Sequence, residues 1–291
     1  MCRYQGPLER SPHLDVKIVF SDLDDTLLTT DKHLAPETRR ALRALGVRGI
    51  EFVPCSGRAL SGISQDILGL EACHYAVCSN GAAVVKISDG QALHRSSLGF
   101  ERTSRLYEML KGFRITFDCF IDGVVYAQKD RFAYLDEIDL PPNTRYITKL
   151  TRTVIDRSIP EFLQRKQEEH GNLERLTMYY HDDQERDAIL TAVELDPTLI
   201  WTSSVPHDIE VMDRNAGKDN GLKWLCGYLN IPITSSVAFG DGLNDANMLK
   251  AAGLGVAVAN AVRETKRSAD KVVATNDDLG VAQTLQELLK D

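Results

Sequence analysis

Short apolar runs recur along this chain, and four of them end directly in a cluster of polar residues. The runs occupy residues 16–20, 50–54, 75–78 and 237–239, and their polar clusters are Ser21-Asp22-Leu23-Asp24-Asp25-Thr26, Ser56-Gly57-Arg58, Ser79-Asn80-Gly81 and Gly240-Asp241-Gly242-Leu243-Asn244-Asp245. Such runs are typical of strands buried on both faces of a sheet. Helical patterns alternate with them, so the sequence predicts an α/β fold with a doubly wound parallel sheet. Because ligands bind beyond the carboxyl ends of such strands, we expect the clusters to meet at one edge.

The segment between Gly81 and Lys218 follows a different pattern. Ser88-Asp89-Gly90 and Asp122-Gly123 each separate two strand-like runs, which indicates two hairpins. Helical patterns and further strand-like runs follow at residues 160–169, 183–193, 176–180, 199–203 and 207–212. Hairpins mixed with helices predict an α+β module with an antiparallel sheet.

This change of pattern divides the chain into domains. A module of roughly 130 residues has a size typical of a separate domain, so we predict an insertion rather than two domains in tandem. The predicted divisions are an N-terminal extension at residues 1–15, a discontinuous core domain at residues 16–82 and 214–291, and an inserted domain at residues 83–213.

The composition excludes several classes of protein. Of the 291 residues, 43% are hydrophobic and 26% are charged, which is ordinary for a globular protein. Acidic residues outnumber basic ones by 42 to 34, and a formal net charge of -8 argues against general binding to nucleic acids or anionic membranes. The six cysteines show no C-x-x-C pair or zinc spacing, and no leader-like or membrane-spanning apolar run is present in the sequence. We therefore expect a cytoplasmic protein with reduced thiols.

Carboxylates dominate the clusters at the expected sheet edge. Asp22, Asp24, Asp241 and Asp245 would converge there without histidine or cysteine, which suits a hard cation such as Mg²⁺. Since Mg²⁺ in proteins commonly binds substrate phosphate oxygens, the expected substrate is a phosphate ester or anhydride. Lys218 would help to neutralise the charge of the transferring phosphoryl group.

The aspartates have distinct expected roles. Asp22 is the candidate nucleophile, which would form an aspartyl-phosphate, and Asp24 is the candidate general acid and base. Asp241 is the expected distal metal ligand. Asp245 is expected to complete or orient the metal shell, with Asn244 nearby.

Five further residues are candidates for binding phosphate or substrate, and most have a structural alternative. Ser56 offers a hydroxyl and Gly57 an accessible N–H, although Ser56 could instead be a helix N-cap. Arg58 could contact the substrate or pair with the inserted domain. Asn80 could contact the substrate or only form a tight turn. Thr26 could hydrogen-bond to the nucleophile or close its turn.

These motifs, in their order and spacing, resemble those of the haloacid dehalogenase-like phosphohydrolases. The matching segments are Asp22-Leu23-Asp24-Asp25-Thr26-Leu27-Leu28, Cys55-Ser56-Gly57-Arg58, Lys218 and Gly240-Asp241-Gly242-Leu243-Asn244-Asp245. The insertion resembles the type IIB cap of the Cof-like hydrolases, and residues 255–261 are also similar to that subfamily. The resemblance implies a Rossmann-like core and Mg²⁺-dependent hydrolysis of small phosphorylated metabolites, commonly sugar phosphates. It further implies that the Asp22 carboxylate, the Asp24 main-chain carbonyl and Asp241 hold the metal, and that the Lys218 side chain holds nucleophile and phosphate together.

Two other functions are compatible with these motifs. A phosphosugar mutase would use the same aspartyl chemistry, and a non-catalytic regulator that binds sugar phosphates could retain the fold. The intact set of Asp22, Asp24, Lys218 and Asp241 argues against the regulator, because a binding protein needs no paired nucleophile and acid. The sequence predicts neither the physiological substrate nor the oligomeric state.

Overall fold

The computed structural model describes residues 15–290. Its strands are β1 (Ile18–Ser21), β2 (Glu51–Pro54), β3 (Tyr75–Cys78), β4 (Ala83–Lys86), β5 (Ala92–Arg95), β6 (Asp118–Ile121), β7 (Val124–Gln128), β8 (Arg152–Ile155), β9 (Leu173–Tyr179), β10 (Leu199–Thr202), β11 (Asp208–Asp213), β12 (Ser236–Gly240), β13 (Leu254–Val258) and β14 (Lys271–Val273). Its helices are α1 (Pro36–Val47), α2 (Gln65–Leu68), α3 (Phe100–Leu110), α4 (Lys129–Phe132), α5 (Pro142–Thr151), α6 (Ile159–Glu168), α7 (Asp183–Glu194), α8 (Lys218–Tyr228), α9 (Ala246–Ala251), α10 (Arg263–Ser268) and α11 (Gly280–Leu288).

The core domain is built on a parallel sheet with the strand order β14-β13-β12-β1-β2. Strand β1 lies between β12 and β2, so segments from the two ends of the chain pair at the centre of the sheet. Every residue of β1 is buried, as expected for a parallel strand covered on both faces. The predicted α/β fold with a parallel sheet is confirmed.

Strand β3 is an exception to the predicted parallel arrangement. It touches the main sheet through a single bridge between Cys55 and Val77, and pairs along its length with β4. Strands β3, β4 and β5 form a separate antiparallel sheet. The hairpin predicted around Ser88-Asp89-Gly90 forms, and it joins β4 to β5.

The inserted cap domain contains a six-stranded sheet with the order β10-β11-β9-β6-β7-β8. Its strand pairs are antiparallel except for β7 and β8, and the predicted Asp122-Gly123 turn joins β6 to β7. One face packs on α3, α6 and α7 through an apolar cluster that includes Leu176 and Met178 of β9. The prediction of an α+β cap with an antiparallel sheet is confirmed. The short strand β8 and helices α3 and α5 were not predicted.

The predicted domain boundaries remain a prediction. The hairpin strand β4 belongs to the apolar cluster of the core, because Ala83, Val84 and Val85 pack with it. Packing therefore favours a crossing into the cap after β5, later than the boundary placed at residue 83. Residues 1–14 of the predicted extension, and residue 291, lie outside the described residues.

Arg102, in the first turn of α3, joins the two segments that connect core and cap. It donates hydrogen bonds to the carbonyls of Leu98 and Ser97, at 2.6 and 2.7 Å, in the outgoing segment. It also contacts the Asp213 carboxylate at 2.7 Å, at the start of the returning segment. One side chain thus holds both connections side by side.

Two sequence expectations concern membranes and cysteines. Over residues 15–290, the helices are all too short or too polar to cross a bilayer. The cysteines within this range are free and buried, namely Cys55, Cys73, Cys78, Cys119 and Cys226.

Candidate active site

The polar clusters after β1 and β12 meet at the carboxyl edge of the parallel sheet. Carboxylate oxygens of Asp22, Asp241 and Asp245 lie within 4.8 Å of one another. Adjacent parallel strands place Asp22 and Asp241 side by side, since Phe239 O accepts a hydrogen bond from Asp22 N at 3.0 Å. Of the four aspartates expected to converge, these three form the cluster, whereas the Asp24 side chain pairs with Arg58.

Lys218 binds two of these carboxylates. Its Nζ lies 2.6 Å from Asp22 Oδ1 and 2.7 Å from Asp245 Oδ1. Burial raises the pKa of Asp22 well above its ordinary value, and the Asp245 and Asp241 charges add to this although Lys218 opposes it. The Asp22 and Asp245 charges raise the pKa of Lys218 despite its burial, so the ammonium remains charged. Lys218 is thus a buried cation within reach of the predicted nucleophile.

Asp245 has both carboxylate oxygens engaged. Oδ1 accepts the hydrogen bond from Lys218, and Oδ2 accepts from the backbone N–H groups of Asp241 and Gly242, each at 3.0 Å. A methyl group on Gly240 would come within 2.4 Å of the Asp245 side chain, so glycine gives this carboxylate its space. These contacts favour orientation of the loop over direct metal binding by Asp245.

Asp241 is held by Thr26, which donates from Oγ1 to Asp241 Oδ1 at 2.7 Å. Burial and the nearby Asp245 charge raise the pKa of Asp241 to about 6. Thr26 therefore connects the first motif to the last. Neither alternative considered for Thr26 from the sequence included this contact.

Asp24 lies at the more open side of the site, between two cations. Arg58 donates to both of its carboxylate oxygens, at 2.7 and 2.8 Å, and Lys32 Nζ lies 3.4 Å away. Burial works to raise the pKa of Asp24, but Arg58 and Lys32 outweigh it and hold this pKa below its ordinary value. Asp25, with φ of 60°, adopts a left-handed conformation that aspartate tolerates better than most residues.

The Ser56-Gly57-Arg58 loop is joined to Asn80. Ser56 is buried, its Oγ accepts from Arg58 N at 3.1 Å, and its carbonyl accepts from Asn80 N at 3.0 Å. The Asn80 carboxamide lies against Gly57, where an added methyl group would be 3.2 Å from its oxygen. The carboxamide of Asn244 donates to Asn80 Oδ1 at 3.1 Å. Asn80 and Asn244 therefore lie beside the loop predicted to bind phosphate.

The cap contacts these loops through charged residues. Ser79 Oγ donates to Glu174, Asn80 Nδ2 donates to Glu210, and Arg175 donates to the Gly57 carbonyl at 2.8 Å. All three cap residues are buried.

Sequence reasoning missed Lys32 and these cap residues. A signal was present for two of them, because Glu174 and Arg175 are the charged residues of a strand that is otherwise apolar apart from Thr177, and charges are rarely buried unpaired. Lys32 carried no comparable signal.

A divalent cation fits the donor set of this site. The converging side chains offer only carboxylate oxygens, which are the ligands of hard cations such as Mg²⁺. The raised pKa values of Asp22 and Asp241 reflect burial and crowding of negative charges, which a bound cation would relieve. Asp22 and Asp241 are the two side chains best placed to hold it.

The sequence matches the family model of haloacid dehalogenase-like hydrolases over residues 19–285. The chain belongs to this family. It is 30% identical over 286 residues to the phosphatase YwpJ of Bacillus subtilis strain 168, which covers 94% of this chain and 100% of YwpJ.

Solved structures share the same architecture. A haloacid dehalogenase-like hydrolase from B. subtilis matches with a TM-score of 0.81 and 27% identity, covering 94% of this chain and 100% of that one. BT4131, a subclass IIB sugar phosphatase, shares the fold with a TM-score of 0.78 at 19% identity, over 94% of this chain and 98% of that one. The resemblance to Cof-like, type IIB members and the class of phosphoric monoester hydrolase are confirmed.

Proposed function

We propose that this protein is a Mg²⁺-dependent phosphatase that hydrolyses small phosphorylated metabolites through an aspartyl-phosphate on Asp22. The observation that carries the proposal is the cluster of Asp22, Lys218, Asp241 and Asp245 at the carboxyl edge of the parallel sheet. Asp22 is a buried carboxylate that contacts the buried ammonium of Lys218 and lies beside the carboxylates of Asp241 and Asp245. This arrangement suits attack on a phosphate by an anionic nucleophile.

In the first step, an oxygen of Asp22 attacks the phosphorus atom, and the bond from phosphorus to the leaving oxygen breaks. Asp24 donates a proton to that oxygen. Lys218 stabilises charge on the nucleophile and the transferring group. Donation requires that Arg58 turn away from Asp24, because Arg58 favours the charged carboxylate.

In the second step, Asp24 takes a proton from water as that water attacks the aspartyl-phosphate. The bond between phosphorus and the Asp22 oxygen breaks, which releases phosphate and restores the carboxylate. The lowered pKa of Asp24 suits this role as a base.

The proposal assigns phosphate contacts to Ser56, Gly57, Asn80 and Asn244. Asp22, the Asp24 main-chain carbonyl and Asp241 would hold Mg²⁺, with Asp245 orienting the loop. Bound Mg²⁺ would neutralise phosphate charge as a Lewis acid.

Sugar phosphates are the substrate class that we propose to test first, and we propose a cytoplasmic location. The open side of the site is polar: Asp24, Arg58 and Lys32 have side chains 36%, 28% and 27% exposed. These groups are suited to hydrogen bonds with a hydroxylated leaving group. The family resemblance is the second support.

Hydrolysis in ¹⁸O-labelled water tests this function. A phosphatase places the label in free phosphate, whereas a mutase releases almost no phosphate. We expect labelled phosphate from at least one member of a panel of sugar phosphates, nucleotides, flavin mononucleotide and pyridoxal phosphate. Asp22→Asn is expected to abolish this release while the circular dichroism spectrum is retained. Normal turnover by Asp22→Asn would exclude the aspartyl-phosphate.

A further inference from the structure

Asn80 joins three loops of the active site. Its N–H donates to Ser56 O at 3.0 Å, and its carbonyl accepts from Gly217 N, the residue before Lys218, at 2.9 Å. Its side-chain oxygen accepts from Asn244 at 3.1 Å. The position of Asn80 therefore affects the loops that carry Ser56, Lys218 and Asn244 together.

The backbone around Asn80 depends on its surroundings. Ser79 and Asn80 have φ of 51° and 54°, a left-handed conformation that is uncommon for residues with a side chain. Such conformations persist where neighbouring groups hold them. Both side chains find partners in the cap, since Ser79 Oγ donates to Glu174 and Asn80 Nδ2 donates to Glu210.

A closed ring of hydrogen bonds links Asn80 to the cap. Glu210 accepts from Asn80 and also from Ser204 Oγ at 3.1 Å. Asn244 donates to Ser204 Oγ at 3.3 Å and to Asn80 Oδ1, which closes the ring. Two of its members belong to the core and two to the cap, so the ring requires contact between the two domains.

Arg175 connects Glu210 to a second loop of the core. The Arg175 and Glu210 side chains form an ion pair and are 5% and 6% exposed, so each charge depends on the other. The second guanidinium nitrogen of Arg175 donates to Gly57 O at 2.8 Å. Glu210 thus fixes Asn80 directly and, through Arg175, steadies the loop of Gly57.

We propose that Glu210 is a positioning residue for phosphoryl transfer. From the cap it orients the Asn80 carboxamide, and through Asn80 it sets the relative placement of the loops that carry Ser56, Lys218 and Asn244. Closure of the cap and order in the catalytic loops are thereby coupled. The inference rests on the proposed function, because that function gives these three loops their roles.

The test uses the full-length chain with Mg²⁺ and p-nitrophenyl phosphate. Glu210→Gln keeps the shape of the side chain and removes the charge. We expect kcat to fall about 10- to 100-fold, as for a small misplacement of catalytic groups, while KM changes less. Glu194→Gln, which neutralises an exposed glutamate of the cap, is the matched control and should leave kcat unchanged.

A second readout separates positioning from general destabilisation. Hydrogen–deuterium exchange in Glu210→Gln should become faster at residues 79–82 while β6 and β9 keep their protection. Faster exchange throughout the cap sheet with normal exchange at residues 79–82 would overturn the proposal.

A second variant covers the possibility that Glu210→Gln does not fold. Glu210→Gln/Arg175→Met removes both charges of this ion pair, so neither is left buried without the other, and kcat should still be low. A folded variant of either kind with kcat within about twofold of the unchanged protein would overturn the proposal, because a twofold change is below the effect expected of a displaced group. The labelled-water and Asp22→Asn experiments do not involve Glu210, so failure of the proposed function is distinguishable from failure of this inference.

Discussion

Lys218 Nζ lies 2.6 Å from Asp22 Oδ1, and the lysine side chain is fully buried while the aspartate is 10% exposed. The same ammonium contacts Asp245 at 2.7 Å. A buried charge is tolerated only when it is paired and hydrogen-bonded. These three residues, from three separate segments of the chain, therefore act as one unit in both stability and catalysis.

Replacement of the lysine is expected to damage stability as well as turnover. Lys218→Met leaves two buried carboxylates without their cation, so we expect a loss of about 3–5 kcal/mol in the free energy of unfolding at neutral pH. The loss should be smaller at pH 5, because burial raises the pKa of Asp22 and protonation of that carboxylate removes one of the unpaired charges. Urea unfolding at pH 5 and pH 8 measures this difference. Lys223→Met is the matched control on the same helix, since Lys223 is exposed and should change stability by less than about 0.5 kcal/mol.

The effect of replacing Asp24 on the first chemical step should depend on whether the leaving group needs a proton. Asp24→Asn cannot activate water, so hydrolysis of the aspartyl-phosphate should slow by about 10²- to 10⁴-fold. p-Nitrophenolate leaves without protonation, so this substrate should give a burst followed by slow turnover. An alkyl phosphate such as glucose 6-phosphate needs the acid and should give no burst. Rapid-quench kinetics distinguishes the two.

The neighbouring Asp25→Asn is the control for this experiment, because asparagine also tolerates the left-handed conformation at that position. It should react at a rate close to that of the unchanged enzyme. A steady rate in Asp24→Asn equal to that of the unchanged enzyme on both substrates would refute the acid–base role.

Removal of the metal should abolish activity and lower thermal stability. A ligand present at 100 times its Kd stabilises a folded protein by about 2.7 kcal/mol, so Mg²⁺ should raise the melting temperature and a chelator should reverse the effect. Asp241→Asn should lose most of this Mg²⁺-dependent shift. Asp277→Asn, an exposed carboxylate outside the cluster, should keep it. An equal shift in the two variants would argue against Asp241 as a ligand.

The stability of the cap should depend on pH through Asp208. Burial, together with the Glu210 charge, raises the pKa of Asp208 to about 7. The folded protein therefore holds a proton that the unfolded chain releases at lower pH, and stability falls as pH rises from the ordinary aspartate range to about 7. Asp208→Asn keeps an acceptor for Ser203 and Ser204, but does not titrate. The free energy of unfolding of Asp208→Asn, minus that of the unchanged protein, should therefore be larger at pH 8 than at pH 5. Urea unfolding at the two pH values measures this difference. An unchanged pH dependence would contradict this account.

Local patterns were sufficient to predict the core and much of the site. Asp22 and Asp241 follow buried strands, and parallel pairing of β1 with β12 brings such positions together whatever the rest of the chain does. The turn at Asp122-Gly123 was predicted for the same reason, since its geometry is set by two residues.

Contacts across domains were not predictable in this way. The partner of Asn80 is a glutamate 130 residues away, on a strand of the inserted cap. Likewise, β3 pairs along its length with β4 and contacts the parallel sheet through the bridge between Cys55 and Val77. Neither result can be predicted from the hydrophobic periodicity of a short stretch of sequence.

The pairing of β1 with β12 also has a consequence for how the protein is made. During synthesis, β1 emerges long before its partner β12. All six strands of the cap sheet come from one continuous stretch of chain between β1 and β12. Domains generally fold as units while the chain is being made. The cap is therefore the first domain able to fold on the ribosome, and the catalytic edge of the core is completed last.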